Sequence, residues 1–190
     1  MPRTEAQFEE IREHKISLIM HSALELFANE GFYPTSISKI AQKAGISKGL
    51  MYNYFESKDD LVLAIIGKGI ARLTEHLDPD HDGILTDKEL KLFIVEIFRI
   101  LQENLDYWKL YFSVMMQPAV YKLVKEKFPH FLPPLQDMAI GYFRNKKVDN
   151  PEIEAICLDA LLDGIFLNYI MDPEGFPLEQ VKEQIVNRFK

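Results

Sequence analysis

A chain of 190 residues, 47% of them hydrophobic, is long and apolar enough for a small domain joined to a larger one, which excludes a disordered or fibrous polypeptide. No apolar run approaches the roughly 18 residues of a membrane span, and the charged stretch Met1 to Glu13 does not read as a secretory leader, so a soluble, cytoplasmic protein without a membrane partner is expected. A net charge of −7 would exclude nucleic acid if it were spread evenly, but residues 31–58 carry Lys39, Lys43, Lys48 and Lys58 against Glu56 alone, whereas residues 63–190 hold 15 basic and 20 acidic side chains.

Helical periodicity runs through the chain and no stretch alternates as a strand would, which predicts an all-α fold. The first helix is predicted from about Ala6 to Glu30, with Ile16, Ile19, Met20, Ala23 and Phe27 on one stripe and Gly31 as its terminating glycine. After Pro34, Thr35 and Ser36 form the N-cap region of a short helix through Ala44. Gly45 breaks that helix, and Ser47 caps another over Lys48 to Tyr54.

These two short helices and their tight turn make a helix-turn-helix. Ile37, Ile40, Ala41 and Ala44 form one apolar stripe, onto which Ile46, Met51 and Phe55 can pack. Lys48, Gly49, Leu50, Tyr52 and Asn53 are left facing outward. Lysine and asparagine bond base edges in the major groove, an apolar side chain meets a thymine methyl, tyrosine hydroxyls reach phosphates, and a glycine lets backbone come close. The alternative is a small three-helix bundle without DNA affinity.

The stretch containing Ala23, Phe27, Gly31-Phe32, Ile40-Ala41, Ala44-Gly45-Ile46-Ser47, Gly49, Tyr52, Tyr54-Phe55, Ser57-Lys58 and Leu61 closely resembles the TetR family of repressors over roughly a third of the chain. The resemblance implies an N-terminal three-helix DNA-binding domain and a larger C-terminal helical domain for ligand sensing and dimerisation. It implies that Lys48, Gly49 and Leu50 approach bases of double-stranded DNA, with Ser47 at the same helix start, while Ser36, Tyr52, Asn53, Tyr54 and Lys58 hold phosphates. It further implies that a fourth helix, predicted from Lys58 to about His76, is the lever that a small-molecule effector displaces, altering the spacing of paired recognition helices. Repression is favoured over activation on the same ground.

The acidic loop that follows is the expected domain boundary, dividing the chain into 1–57 (DNA-binding), 58–77 (linking helix), 78–89 (loop) and 90–190 (sensing and dimerisation). Asp78, Asp80, Asp82, Gly83 and Glu89 match the EF-hand pattern D-x-D-x-D-G-x5-E, with Ile84 lending a carbonyl, Thr86 a direct or water-borne ligand and Leu85 the apolar anchor. Calcium, ahead of magnesium, is the cation expected; no cofactor is required. The other reading is that Thr86-Asp87-Lys88-Glu89 is a capping box for the next helix, with the aspartates solvated near its positive end.

The helix from Asp87 onward is apolar nearly all round and is expected in the middle of a core. The aromatic and methionine side chains after it exceed what packing demands, and Trp108, Phe112, Met116, Phe131, Tyr142, Phe166 and Tyr169 are candidates for an effector pocket. The helix from Pro151 to Met171 carries two apolar stripes, one through Ile153, Ile156, Cys157, Ala160, Gly164 and Ile165, the other through Leu158, Leu162, Phe166 and Tyr169. One core cannot cover both, so one stripe is expected to face a second copy of the chain in a homodimer, together with the helix around Leu135 to Phe143. Cys157, the one cysteine, excludes an internal disulfide and reads as a small buried hydrophobe. No nucleophile elbow, phosphate loop or zinc motif is present, and His14, His21, His76, His81 and His130 are scattered, so an enzyme is not expected. The competing function is a calcium-responsive helical interaction protein that does not bind DNA.

Overall fold

The structure, a computed structural model, describes residues 4–127 and 132–188. Ten helices and no strand occur among them: α1 (Glu5–Glu30), α2 (Ile37–Lys43), α3 (Lys48–Met51), α4 (Lys58–Thr74), α5 (Asp87–Glu103), α6 (Leu105–Met115), α7 (Pro118–Lys127), α8 (Leu132–Asn145), α9 (Pro151–Met171) and α10 (Leu178–Arg188). None is long and apolar enough to cross a membrane among the described residues.

The chain divides into two compact units, Met1–Gly69 with Leu110–Lys127, and Ile70–Lys109 with Phe128–Lys190. The boundary between these units lies within α4 and recurs within α6, whereas the sequence divides the chain at residues 57, 77 and 89. Long-range bonds explain the inclusion of residues 110–127 in the first unit: the Tyr111 hydroxyl donates to the Ile66 carbonyl at 3.0 Å, and Gln117 reaches Phe27 and Phe32. Sequence periodicity carries no trace of such pairings.

In the first unit, α1 opens with a Thr4–Gln7 capping box and ends at Gly31, whose φ of +93° is unfavourable for any residue with a side chain. Its stripe of Ile19, Ala23, Leu24 and Phe27 is buried, as are Ile40 and Ala41 of α2, Met51 of α3, and Leu61, Val62, Ile65 and Ile66 of α4; α2 packs against both α1 and α3. Thr35, fully buried, donates its hydroxyl proton to the Gly31 carbonyl at 2.8 Å.

In the second unit, α5 packs against α10 and α8 against α9. Trp108 is wholly buried and donates its indole N–H to the Ile100 carbonyl at 3.0 Å. The apolar-all-round expectation for α5 needs correction. Leu90, Ile94, Ile97, Phe98 and Leu101 are buried, but Leu92 is exposed beside Lys91 and Lys88, so the helix has one wet face. On α9 the stripe of Ala155, Leu158, Leu162, Phe166 and Tyr169 is buried, while Ile153, Ile156, Cys157 and Ala160 are exposed on the other side. Two expectations fail here: Ile165 joins the inner stripe, and Cys157 lies in the open because it belongs to the outer one.

Candidate nucleic-acid interface

The helix-turn-helix is assembled by its caps. Ser36 Oγ accepts from the Lys39 N–H at 3.2 Å and Ser47 Oγ from the Leu50 N–H at 3.1 Å, each satisfying a donor that a helix start leaves orphaned. Gly45, at φ +65°, makes the turn between them. Ile40, Ala41, Ala44, Met51 and Phe55 are buried and Ile37 and Ile46 half-buried, so the apolar set packs inward. α3 is shorter than expected, because the chain turns at Tyr52 to Tyr54 instead of continuing the helix.

That packing leaves Ser36, Ser47, Lys48, Gly49, Tyr52 and Asn53 exposed, with Leu50 and Tyr54 half-exposed. Tyr52 presents 48% of its surface. A side chain at Gly49 would meet nothing within 4 Å, so the protein's own packing does not require a glycine there. The charges sort themselves in a way that composition hides. Lys39 pairs with Glu30 at 2.5 Å and Lys43 with Glu25 at 3.0 Å, whereas Lys48 makes no ion pair among the described residues. The segment's cation free to meet a phosphate or a base edge is Lys48.

Lys58, expected on a phosphate, is engaged elsewhere. Its ammonium donates to the carbonyls of Phe32, Tyr33 and Thr35 at 2.8, 3.0 and 3.0 Å and lies 4.5 Å from the Phe32 ring centroid. Three N–H groups meet three carbonyls, which exhausts the donors of an ammonium. Desolvation lowers the Lys58 pKa from its ordinary value, against an opposing pull from Asp59.

In the loop 78–89, the carboxylates of Asp78, Asp80 and Asp82 each bring an oxygen within 4.8 Å of the others. Asp78 Oδ2 accepts from the Gly83 N–H at 3.1 Å and Asp82 Oδ1 from the Ile84 N–H at 2.7 Å. Asp78 Oδ1 is shielded from solvent and takes no hydrogen bond. Desolvation first, then the neighbouring Asp82 carboxylate, raises the Asp80 pKa above its usual range. Gly83 takes φ +75° and Leu85 is buried. Thr86 and Glu89, however, make the capping box: Glu89 Oε2 accepts from the Thr86 N–H at 2.8 Å and hydroxyl at 2.7 Å, and Thr86 Oγ1 accepts from the Glu89 N–H at 3.3 Å. The aspartates are thus gathered, and the glutamate is turned to the helix start.

The aromatic candidates for an effector pocket are divided between the two units of the chain. Phe112 and Met116 belong to the first unit and Trp108, Tyr142, Phe166 and Tyr169 to the second; Phe131 lies outside the described residues. Met116 is 61% exposed, and the four candidates in the second unit, Trp108, Tyr142, Phe166 and Tyr169, are buried. Burial first, and then a hydrogen bond with Asp87, push the Tyr142 hydroxyl pKa up to about 12. The open groove of the second unit, about 720 Å³, is lined instead by Leu161, Ile165, Phe176, Val181 and Ile185, with Gln180, Gln184, Asn187 and Arg188. Nothing in the chain's periodicity distinguishes these from ordinary amphipathic positions of α9 and α10.

Residues 19–65 match the family model described as bacterial regulatory proteins, tetR family. The fatty acid metabolism regulator protein of Bacillus subtilis is 32% identical over 88 residues, 46% of this chain and 45% of that protein, so the match spans less than half of the relative's length. An uncharacterized HTH-type transcriptional regulator of the same organism, YdgC, is 26% identical over 174 residues, 86% of this chain and 87% of that one. Among solved structures, native NalD, the secondary repressor of the MexAB-OprM multidrug efflux pump in Pseudomonas aeruginosa, superposes with a TM-score of 0.72 over 93% of this chain and 95% of that one. Its identity is 22%, so this likeness speaks for the fold.

Proposed function

We propose that the chain, whose residues 19–65 match the tetR family model, is a ligand-responsive transcriptional repressor of that family that holds a palindromic operator as a homodimer and releases it when a small molecule binds. The observation that carries this is the outward face of the helix-turn-helix: an unpaired lysine, a half-exposed leucine, an exposed tyrosine and asparagine, and a glycine that internal packing does not need. Base edges, methyl groups and phosphates are the partners that such a mixture fits.

Two copies are needed to read two half-sites about 34–36 Å apart. The outer stripe of α9, with Ile153 and Ile156 each more than half exposed, supports the expected isologous contact, since covering those side chains removes apolar surface from water. The apolar lining of the α9–α10 groove supports an effector with a hydrophobic body. Selecting bound duplexes from a random pool, then screening metabolites for release of the selected duplex, tests the reading. A palindromic consensus with two half-sites one helical turn apart is expected; a pool that stays random would overturn it.

For the loop 78–89 we propose a bound calcium ion. Three converging carboxylates repel one another unless something positive lies between them, and the unpartnered Asp78 Oδ1 is suited to ligate it. Glu89 would have to leave Thr86 to complete the shell, and losing a cap costs about 1 kcal/mol, so the site should be weak, with a Kd of about 10⁻⁵ to 10⁻³ M. Calorimetry of chelator-treated protein should show one site per chain that disappears in Asp80→Ala. Absence of heat at millimolar calcium would leave the loop as a helix cap alone.

A further inference from the structure

The connection between α1 and α2 fixes where the reading head begins, and it is held from two sides by residues far away in the chain. Phe27 near the end of α1 exposes a carbonyl that the helix itself only partly uses, and Phe32, just beyond Gly31, has an N–H outside any helix. Gln117, in the short link between α6 and α7, serves both. Its Nε2 donates to the Phe27 carbonyl at 2.8 Å, and its Oε1 accepts from the Phe32 N–H at 2.8 Å. A second, longer bond from Nε2 reaches the Ser113 carbonyl at 3.5 Å and ties the amide back to α6. From the other side Lys58 takes the carbonyls of residues 32, 33 and 35.

We propose that Gln117 is a positioning residue for DNA reading: its side-chain amide sets the exit of α1 and so the placement of Ser36, α2 and α3. The inference rests on the repressor reading and deepens it, because it names a residue outside the helix-turn-helix on which operator affinity depends. A primary amide is the suitable group, since one end donates and the other accepts, and each backbone partner needs the opposite kind of atom. Gln117 lies 85 and 90 positions from its partners, just beyond the end of α6.

Specific binding needs both reading heads in register, whereas non-specific binding depends on phosphate charge and tolerates misplacement. Gln117→Met, which keeps the volume and removes both polar atoms, should weaken binding to the selected operator duplex about tenfold. Its binding to a scrambled duplex should change less than about twofold, and its melting should stay cooperative. Hydrogen exchange at the Phe32 amide should quicken at least about tenfold. Gln117→Glu retains the acceptor for Phe32 but faces the Phe27 carbonyl with an oxygen; it should slow Phe32 exchange back toward the parent while operator affinity stays reduced. Equal losses on both duplexes, or operator binding by Gln117→Met as firm as the parent's, would overturn the positioning role. If the parent itself binds no duplex the repressor reading fails first, and Phe32 exchange alone then decides whether the amide clamp exists: unchanged exchange in Gln117→Met would remove it.

Discussion

Gly69→Ala is expected to destabilise the protein by about 2 kcal/mol or more, although exposed helix positions gain up to about 1 kcal/mol from the same change. Gly69 lies inside α4, and a Cβ built there would stand 2.1 Å from Tyr111 Cε2, 2.6 Å from Cζ and 2.8 Å from Cδ2. No real pair of carbon atoms approaches so closely, so either α4 or the ring must move. The ring cannot yield cheaply. Tyr111 is 2% exposed, and its hydroxyl is bonded to the Ile66 carbonyl three residues before the glycine. Strain and a loosened buried hydrogen bond therefore outweigh helix propensity. A melting temperature about 4 to 8 °C below the parent's is the expected reading. Replacing Tyr111 by leucine in the Gly69→Ala background should cost less than the two single changes added together, since the two residues share one space. An unchanged or raised melting temperature in Gly69→Ala would contradict the close approach.

Lys48→Ala combined with Tyr52→Ala should lower affinity for the selected operator about a hundredfold or more while leaving the fold intact. Each good base or phosphate contact is worth about 1–3 kcal/mol, and a symmetric dimer loses every contact twice. The fold should not notice. Lys48 makes no ion pair among the described residues, Tyr52 is about half exposed, and the buried contribution of α3 comes from Met51. Lys58→Met should behave differently. Its ammonium is spent on three carbonyls, so melting should fall together with affinity.

Much of this architecture can be read along the chain because caps are local. Ser36, Ser47 and Thr86 each reveal a helix start through a hydroxyl that bonds the backbone three residues on, and Gly31 and Gly45 mark the ends with their positive φ. The outward face of α3 follows from the inward one by subtraction. What stayed hidden depends on distant pairing. Lys58 fits a phosphate as well as it fits three carbonyls, and only the folded turn shows which it meets. Gln117 resembles any helix-linker residue until Phe27 and Phe32 come beside it. Ile165 changed stripe relative to expectation because a 21-residue helix drifts against any stripe drawn by eye. The aromatic supply was visible, yet abundance does not tell core from pocket: Trp108 is wholly buried, with its indole N–H satisfied by Ile100.

The claim on which the account stands is that the surface around Lys48 meets duplex DNA. The salt dependence of duplex binding by the parent protein addresses it most directly, because only phosphate neutralisation releases counterions in proportion to the contacts made. A linear fall of log Kobs with log salt, amounting to about a hundredfold or more between 50 and 200 mM, is the predicted result for a chain whose net charge of −7 gives no general attraction to DNA. No measurable binding at 50 mM, or an affinity indifferent to salt, would contradict it.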